Sequence, residues 1–402
     1  MQVPTRPAVA GSGIGAAADW RAALDQALER ALEPLAGEPP DLLLLFANVA
    51  FSSEFPSLLR EAVERSGARE LAGCGASGVI AGDQELEGQP AIAALALRLP
   101  AKSSYISVHR VLPDDLADGG PAAAAWPTRL GLLPTACTGL IVLADPFSTD
   151  VAALIAGLER DYPGVPLVGG LASGDPSIQH THVFFGTQAS GQGAVVVGLS
   201  GSVAIKPIVS QGCEPIGTPW TITEAEGHIV RTIGNRPAYE VVVETVEALS
   251  PPERQRVARN LLVGLAMDEY RDAFNRGDFL IRNLLGVDPQ SGAIAVGAET
   301  RVGQTIQFQV RDARAADEEL RHMLSACADV APRTAAALLF ACNGRGAGLF
   351  GAPDHDARTT RELLGPIPLA GLFCNGEIGP VGQTTFLHGF TASLALITLN
   401  EP

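Results

Sequence analysis

Gly73–Gly78 (GCGASG), Gly169–Gly174 (GGLASG) and Gly371–Gly376 (GLFCNG) are three hexapeptides that align without a gap. Each follows an apolar run at a similar distance: Leu42 to Gly73 is 31 residues, Leu140 to Gly169 is 29, and Ala337 to Gly371 is 34. Between run and hexapeptide lies a stretch with apolar residues at helical spacing: Phe55–Ser66, Asp150–Asp161 and Ala357–Leu364. A crossover of that length containing a helix fits a parallel, right-handed βαβ connection. Further apolar runs of strand length follow, at Ala91–Leu99 in the first copy, Thr181–Phe185 and Ala194–Leu199 in the second, and Gly389–Leu399 in the third. The expected fold class is therefore α/β: repeated βαβ-type units with mixed sheets in a two-domain body. The competing explanation is chance likeness among glycine-rich αβ units.

Outward from the repeats, residues 1–15 are rich in proline and glycine and read as loose. Ala16–Ala36 reads as a helix, with Asp19 as N-cap and Leu24, Leu28, Leu32 and Leu35 at helical spacing. Gly11–Gly15 (GSGIG) superficially resembles a dinucleotide-binding loop, but no βαβ unit frames it. The stretch Gly201–Asp329 departs from the repeat pattern. It reads as strands Val203–Val209, Ile294–Ala298 and Thr305–Arg311 with helices near Thr223–Ile233, Pro251–Arg259 and Ala316–Cys327. A boundary is expected within 200–236, which divides the chain into 1–35, 36–235 and 236–399.

The composition narrows the functional classes. Of 402 residues, 47% are hydrophobic and 18% charged, which suits a sizeable core and excludes a disordered chain. The net charge is −16, and the only lysines are Lys102 and Lys206. Such a surface repels phosphate backbones and anionic bilayers, so neither nucleic acid nor membrane is an expected partner. Six scattered cysteines without a CxxC read as reduced, buried thiols. No apolar run approaches the ~18 residues of a membrane span, and no signal peptide is evident. A cytoplasmic location is expected.

Ser77 and Ser173 lie in GASG and LASG, where the flanking signals do not build a nucleophile elbow. His180 and His182 form a candidate chelating pair on one face of an expected strand, without a third ligand at informative spacing. No bound metal, no cofactor and no catalytic residue are expected. The richest stretches are Cys342–Gly346 (CNGRG) and Cys374–Pro380 (CNGEIGP), each at the carboxyl end of an expected strand. There Arg345 is placed to fork onto a ligand carboxylate and Glu377 to receive an ammonium group, with Asn343, Asn375, Ser173 and Asp175 completing the candidate ligand-binding set. The alternative is a structural Arg345–Glu377 pair between two tight turns. Arg282 and Asp312 are expected to form a structural ion pair.

These residues carry a resemblance. GCGASG, PLVGGLASGD, FLIRNLLGVDPQSGAIAVG with QFQVRD, ACNGRG, and FCNGEIGPVG with FLHGFTAS are together similar to the FIST family, over roughly Leu42 to Leu399. The resemblance implies an N-terminal FIST domain at 36–235 and a C-terminal one at 236–399. It also implies a small-ligand-binding sensory role in intracellular signal transduction, with an amino acid or related metabolite as ligand. The chain has no room for a kinase, methyl-accepting or cyclase output region, so a partner protein is expected to carry the signal. Two alternatives of different class stand beside this reading. One is a cysteine-dependent enzyme using Cys342 or Cys374, activated by Arg345. The other is a protein-interaction platform without a ligand.

Overall fold

The computed structural model describes residues 8–399 except 101–103, 117–124, 176, 259 and 272. Residues 1–7 of the expected loose segment, Lys102 and Arg259 therefore lie outside the described residues. The remainder of that segment is a strand, β1 (Val9–Ala16), followed by α1 (Trp20–Leu32). The reason is close packing. A side chain at Gly11, Gly13 or Gly15 would lie 2.3, 2.2 or 2.0 Å from the carbonyl oxygens of Ala31, Ala27 and Ala23, so alternating glycines let α1 rest directly on the strand. Asp19 caps α1, accepting from the Ala22 amide at 3.1 Å.

In the first copy, β2 (Leu42–Asn48), α2 (Phe55–Ser66) and β3 (Glu70–Ala76) form a parallel βαβ unit, in register from Leu42↔Glu70 to Asn48↔Ala76. A hairpin of β4 (Gly78–Ala81) and β5 (Gln84–Glu87) follows, then β6 (Ala91–Arg98). The second copy contains β7 (Tyr105–Val111), α3 (Trp126–Leu130), β8 (Cys137–Ala144), α4 (Val151–Asp161) and β9 (Leu167–Leu171), with β8 and β9 parallel. Its hairpin is β10 (Val183–Phe185) and β11 (Gln188–Ser190), followed by β12 (Ala194–Ser200) and then β13 (Val203–Ser210).

Residues 210–319 with 388–390 form a separate compact unit. Its elements are β14 (Cys213–Glu226), β15 (Ile229–Ile233), β16 (Arg236–Pro237), α5 (Ala238–Glu247), α6 (Pro251–Val257), β17 (Leu261–Ala266), β18 (Phe279–Asp288), β19 (Ala293–Val296) and β20 (Thr305–Arg311). The strands make one seven-stranded sheet. The helix expected at Thr223–Ile233 is instead the β14–β15 hairpin, turning at Gly227 with φ 56° and burying Ile222, Val230 and Ile233. Arg282 and Asp312 do not form the expected pair. Arg282 lies opposite Val263, which lies opposite Phe308, four residues short of Asp312. Asp312 pairs with Arg256 at 3.3 Å and caps α7 (Ala313–Ser325) through the Ala315 amide at 2.9 Å. Arg282 donates to its neighbour's carbonyl, that of Ile281, at 2.8 Å.

The third copy has β21 (Thr334–Cys342), α8 (Ala347–Phe350), α9 (His355–Leu364) and β22 (Leu369–Cys374), with β21 and β22 parallel. The hairpin β23 (Glu377–Val381) and β24 (Thr384–His388) and the strand β25 (Ala392–Leu399) complete it. It belongs to the same compact unit as the first two copies. The expected boundary at 235/236 follows linear order. The compact units divide differently, because the chain returns to the first unit after residue 319.

All three hexapeptides begin with glycine for one reason. A Cβ at Gly73, Gly169 or Gly371 would stand 1.9 Å from the carbonyl oxygen of Leu45, Val142 or Leu339, its partner on the parallel strand. At the end of each hexapeptide the chain leaves its own sheet. The first hairpin pairs β4 with β22 of the third copy. The second pairs β10 with β3 of the first. The third pairs β23 with β9 of the second. Three six-stranded sheets are thus closed in a ring by exchanged hairpins, with orders β1-β6-β2-β3-β10-β11, β24-β23-β9-β8-β12-β7 and β13-β25-β21-β22-β4-β5. Their inner faces share one apolar core that includes Phe46, Cys74, Ile141, Val168, Phe340 and Cys374. Helices α1 and α2 cover the first sheet, α4 the second, and α7 and α9 the third.

Candidate functional site

Cyclic hairpin exchange brings the carboxyl ends of the parallel strands together. The fifth residue of each hexapeptide, Ser77, Ser173 or Asn375, stands at this junction. The Ser77 amide donates to Ser173 Oγ at 2.9 Å. Ser77 Oγ donates to Asn343 Oδ1 at 2.7 Å, and Asn343 Nδ2 to Asn375 Oδ1 at 2.7 Å. Asn375 Nδ2 returns to the second copy through the Ala172 carbonyl at 3.2 Å. The ring is closed on the inside by Ser173 Oγ, which donates to the Phe373 carbonyl. Asn48 supports it from the first copy, donating to the Ser77 carbonyl at 2.7 Å. Every copy contributes, and bonds between copies (Ser77 to Ser173 and Asn343, Asn375 to Ala172, Ser173 to Phe373) are joined by bonds within a copy (Asn343 to Asn375, Asn48 to Ser77).

Two adjoining cavities lie on this ring. The larger, about 500 Å³, is lined by Asn48, Ser52, Ser77, Asp175, His180 and His182 among others. The smaller, about 320 Å³, is lined by Ser77, Glu87, Asn343, Phe373 and Asn375. They share Ser77, Gly88 and Gly174 as a common wall. No lysine or arginine lines either cavity among the described residues, while Asp175 and Glu87 do. Asp175 is held below the ordinary carboxylate range by the Ser177 hydroxyl and amide on its Oδ1. Asn343 and Asn375 are exposed to the cleft and keep further donor capacity on their amide nitrogens.

His180 and His182 are not on a strand, since β10 begins at Val183. Their rings nonetheless meet edge to face at 4.5 Å, and His182 rests on Phe55 at 5.2 Å. Burial lowers the His182 pKa and His180 adds to this, against an opposing effect of Asp145. Desolvation thus favours the neutral form of the His182 imidazole. Among the described residues no cluster of three or more His, Cys, Asp or Glu is placed to hold a metal ion.

The structure separates the six expected ligand residues. Asn343, Asn375 and Asp175 line the cleft, and Ser173 lies immediately beneath it, fully buried. Arg345 and Glu377 do not line it. Arg345 is 1% exposed and forks onto Asp356, Nε to Oδ2 at 2.6 Å and Nη2 to Oδ1 at 2.9 Å, with its guanidinium 5.3 Å from the Phe350 ring. Burial alone would raise the Asp356 pKa, but Arg345, aided by His355, holds it at about 2. Glu377 is fully buried and accepts from the Thr391 amide at 3.1 Å. It opens β23, which crosses to the second copy's sheet opposite Gly170. Arg345 lies in the turn after β21 of the third sheet while Glu377 opens a strand of the second, and the Arg345–Glu377 pair gives way to Arg345–Asp356.

Asn48 and Glu87 enter the cleft unannounced by sequence, while Ser77, at the same hexapeptide position as Ser173 and Asn375, and the two histidines line it in a role other than the nucleophile or chelating pair the sequence suggested. The thiols stand apart from it. Cys374 is buried and its pKa is pushed well up by burial. Cys342 is partly exposed, with its Sγ accepting from the Gly344 amide at 3.4 Å.

The FIST N domain matches residues 41–236 and the FIST C domain residues 238–380. Protein Rv0628c of Mycobacterium tuberculosis strain H37Rv is 40% identical over 388 residues, spanning 96% of this chain and 98% of the relative. Protein Mb0898c of Mycobacterium bovis is similar to the same extent, 40% over 388 residues with 96% and 98% covered. Among solved structures, the cyanuric acid hydrolase of A. caulinodans matches with TM-score 0.37 and 10% identity, over 98% of this chain and 100% of that one, too distant to bear on activity. FIST domains are associated with sensory ligand binding in signal transduction. No helix among the described residues is long and apolar enough to cross a membrane. On its two domain matches and its relatives, this chain belongs to the FIST family.

Proposed function

We propose that the cleft over the three-copy ring binds a small polar metabolite, and that the protein acts as a cytoplasmic sensor whose occupancy is read by a partner protein. The observation that carries this reading is the ring itself. Side chains from all three copies converge under a cavity of about 500 Å³, within the range usual for small-molecule sites. Amino acids and their relatives remain the ligand class, but with a revised anchor. The ammonium group is assigned to Asp175 or Glu87, and the carboxylate to the amide nitrogens of Asn343 and Asn375 in place of Arg345.

This reading assigns no catalytic residue. A cysteine enzyme fits less well, because Arg345 is committed to Asp356 and burial disfavours the Cys374 thiolate. The test is a thermal-shift screen of the purified chain against amino acids and central metabolites. A hit should raise the melting temperature in proportion to ligand concentration. It should lose at least about tenfold in affinity, near 1.4 kcal/mol, in Asn343→Leu. Stabilisation that persists in full in both Asn343→Leu and Asp175→Asn would place the ligand elsewhere. No stabilisation by any metabolite would favour a pure interaction platform.

A further inference from the structure

The exchanged hairpin β4–β5 forms one wall of the cleft, through Glu87 and Gly88, and it is held to the third copy by acidic groups. Glu85 is 3% exposed. Its amide donates to Asp354 Oδ1 at 2.7 Å, and its Oε1 accepts from the Ala357 amide, in the first turn of α9, at 2.8 Å. Glu87 Oε1 accepts from the Ala347 amide at 2.8 Å. Glu85 Oε2 and Arg345 Nη1 are both buried without a hydrogen-bond partner.

The charges do not balance here. One guanidinium, Arg345, stands near two buried carboxylates, and its fork is given to Asp356. Of the other groups facing Glu85, Asp354 is tied to Arg358 at 2.6 Å, His355 Nδ1 is 2.9 Å from Asp356 Oδ1, and Glu87 adds a further negative charge. Asp83 and Arg361, beside the hairpin turn, are 3.9 Å apart. Glu85 is thus the carboxylate left without a countercharge, in a site where an unpaired charge is costly.

We propose that Glu85 is protonated while the β4–β5 hairpin is seated and ionises as the hairpin loosens, so that pH sets how firmly the Glu87–Gly88 wall of the cleft is held. Burial, with Asp356 adding to it against the Ala357 amide and Arg345, pushes the Glu85 pKa from 4.5 up to about 7. The seated state therefore binds the extra proton. Its advantage is complete below about pH 4.5 and is lost progressively as pH rises through about 7, levelling off by about pH 8. Any effect on ligand affinity rests on the cleft being the binding site, whereas the proton linkage does not.

Amide hydrogen exchange of β4 and β5, corrected for intrinsic rates, tests the linkage without a ligand. Protection should fall about tenfold between about pH 6 and pH 8, and stay constant in Glu85→Gln. Unchanged protection in the unmodified protein, or an equal fall in Glu85→Gln, overturns the proposal. If Glu85→Gln does not fold, carboxyl carbon NMR of the unmodified protein decides. A Glu85 midpoint above about 6 supports the proposal, and one near the ordinary glutamate value of about 4.3 overturns it. A hairpin that loosens with pH, while no metabolite stabilises the protein at any pH, supports the linkage and sinks the cleft reading alone.

Discussion

Replacing Arg345 by methionine leaves Asp356 in the core without its countercharge. Asp356 is 1% exposed and receives two guanidinium hydrogen bonds, at 2.6 and 2.9 Å. Methionine restores most of the apolar stem, so the loss is electrostatic more than volumetric. Breaking one partner of a buried pair costs about 3–5 kcal/mol, and the lost Phe350 contact adds about 0.5–2 kcal/mol. That is a large share of a typical total of about 5–15 kcal/mol.

The pH dependence has a definite sign. Without Arg345, burial raises the Asp356 carboxyl above its unfolded value of about 3.9. The variant's deficit is then greatest at about pH 8 and shrinks as pH falls through the raised value. Urea unfolding at about pH 8 and pH 5.5 measures both quantities, provided m is unchanged. The double variant Arg345→Met, Asp356→Leu should recover most of the loss, since an apolar pair of similar volume often substitutes for a buried ion pair. A deficit below about 1 kcal/mol, or a deficit equal at both pH values, would show that Arg345 is not the countercharge that holds Asp356 ionised in the core. Because Arg345 does not line the cleft, the affinity of any cleft ligand should be unchanged in the folded variant.

Two further outcomes follow from the packing. Gly371→Ala should destabilise by at least about 2 kcal/mol, because its Cβ would meet the Leu339 carbonyl oxygen at 1.9 Å. Gly348→Ala, with nothing within 4 Å, should stay within about 0.5 kcal/mol; equal denaturation midpoints for the two would refute the close-approach argument. In alkylation at about pH 8, Cys342 should react first and Cys74 and Cys374 only on unfolding, since burial raises both of their thiols. Mass spectrometry showing Cys374 modified as fast as Cys342 would count against their placement.

Three parallel βαβ units were legible from sequence because strand periodicity, helical spacing and a required glycine are local properties. Leu42–Phe46, Phe55–Ser66 and Gly73 announce themselves within one crossover. The Asp19 N-cap was legible for the same reason. The strand β1 was not. Its glycines signal a loop, and only the ridge of Ala23, Ala27 and Ala31 on α1 makes them suit a strand. The hairpin β14–β15 is not legible because turn and helix signals overlap in Thr223–Ile233, and the stretch becomes a strand by pairing within the hairpin and, through Ile229 and Val230, with β19.

For the site, sequence alone placed Asn343 and Asn375 at strand ends, since the carboxyl ends of parallel strands lie on one edge. It did not place Arg345 or Glu377. Asp356 lies eleven residues beyond Arg345 on α9, and no local rule says which of several acidic groups will face a guanidinium. Glu377 follows Asn375 by two residues, yet it belongs to another sheet. Each unit follows from interactions between near neighbours in the chain, which local patterns reveal. Which sheet each hairpin joins, and so which residues meet at the centre, depends on hydrogen bonds and burial between segments up to 300 residues apart, such as β4 against β22 from Val79↔Leu372 to Ala81↔Ala370. Those contacts exist only once the three sheets close on one another.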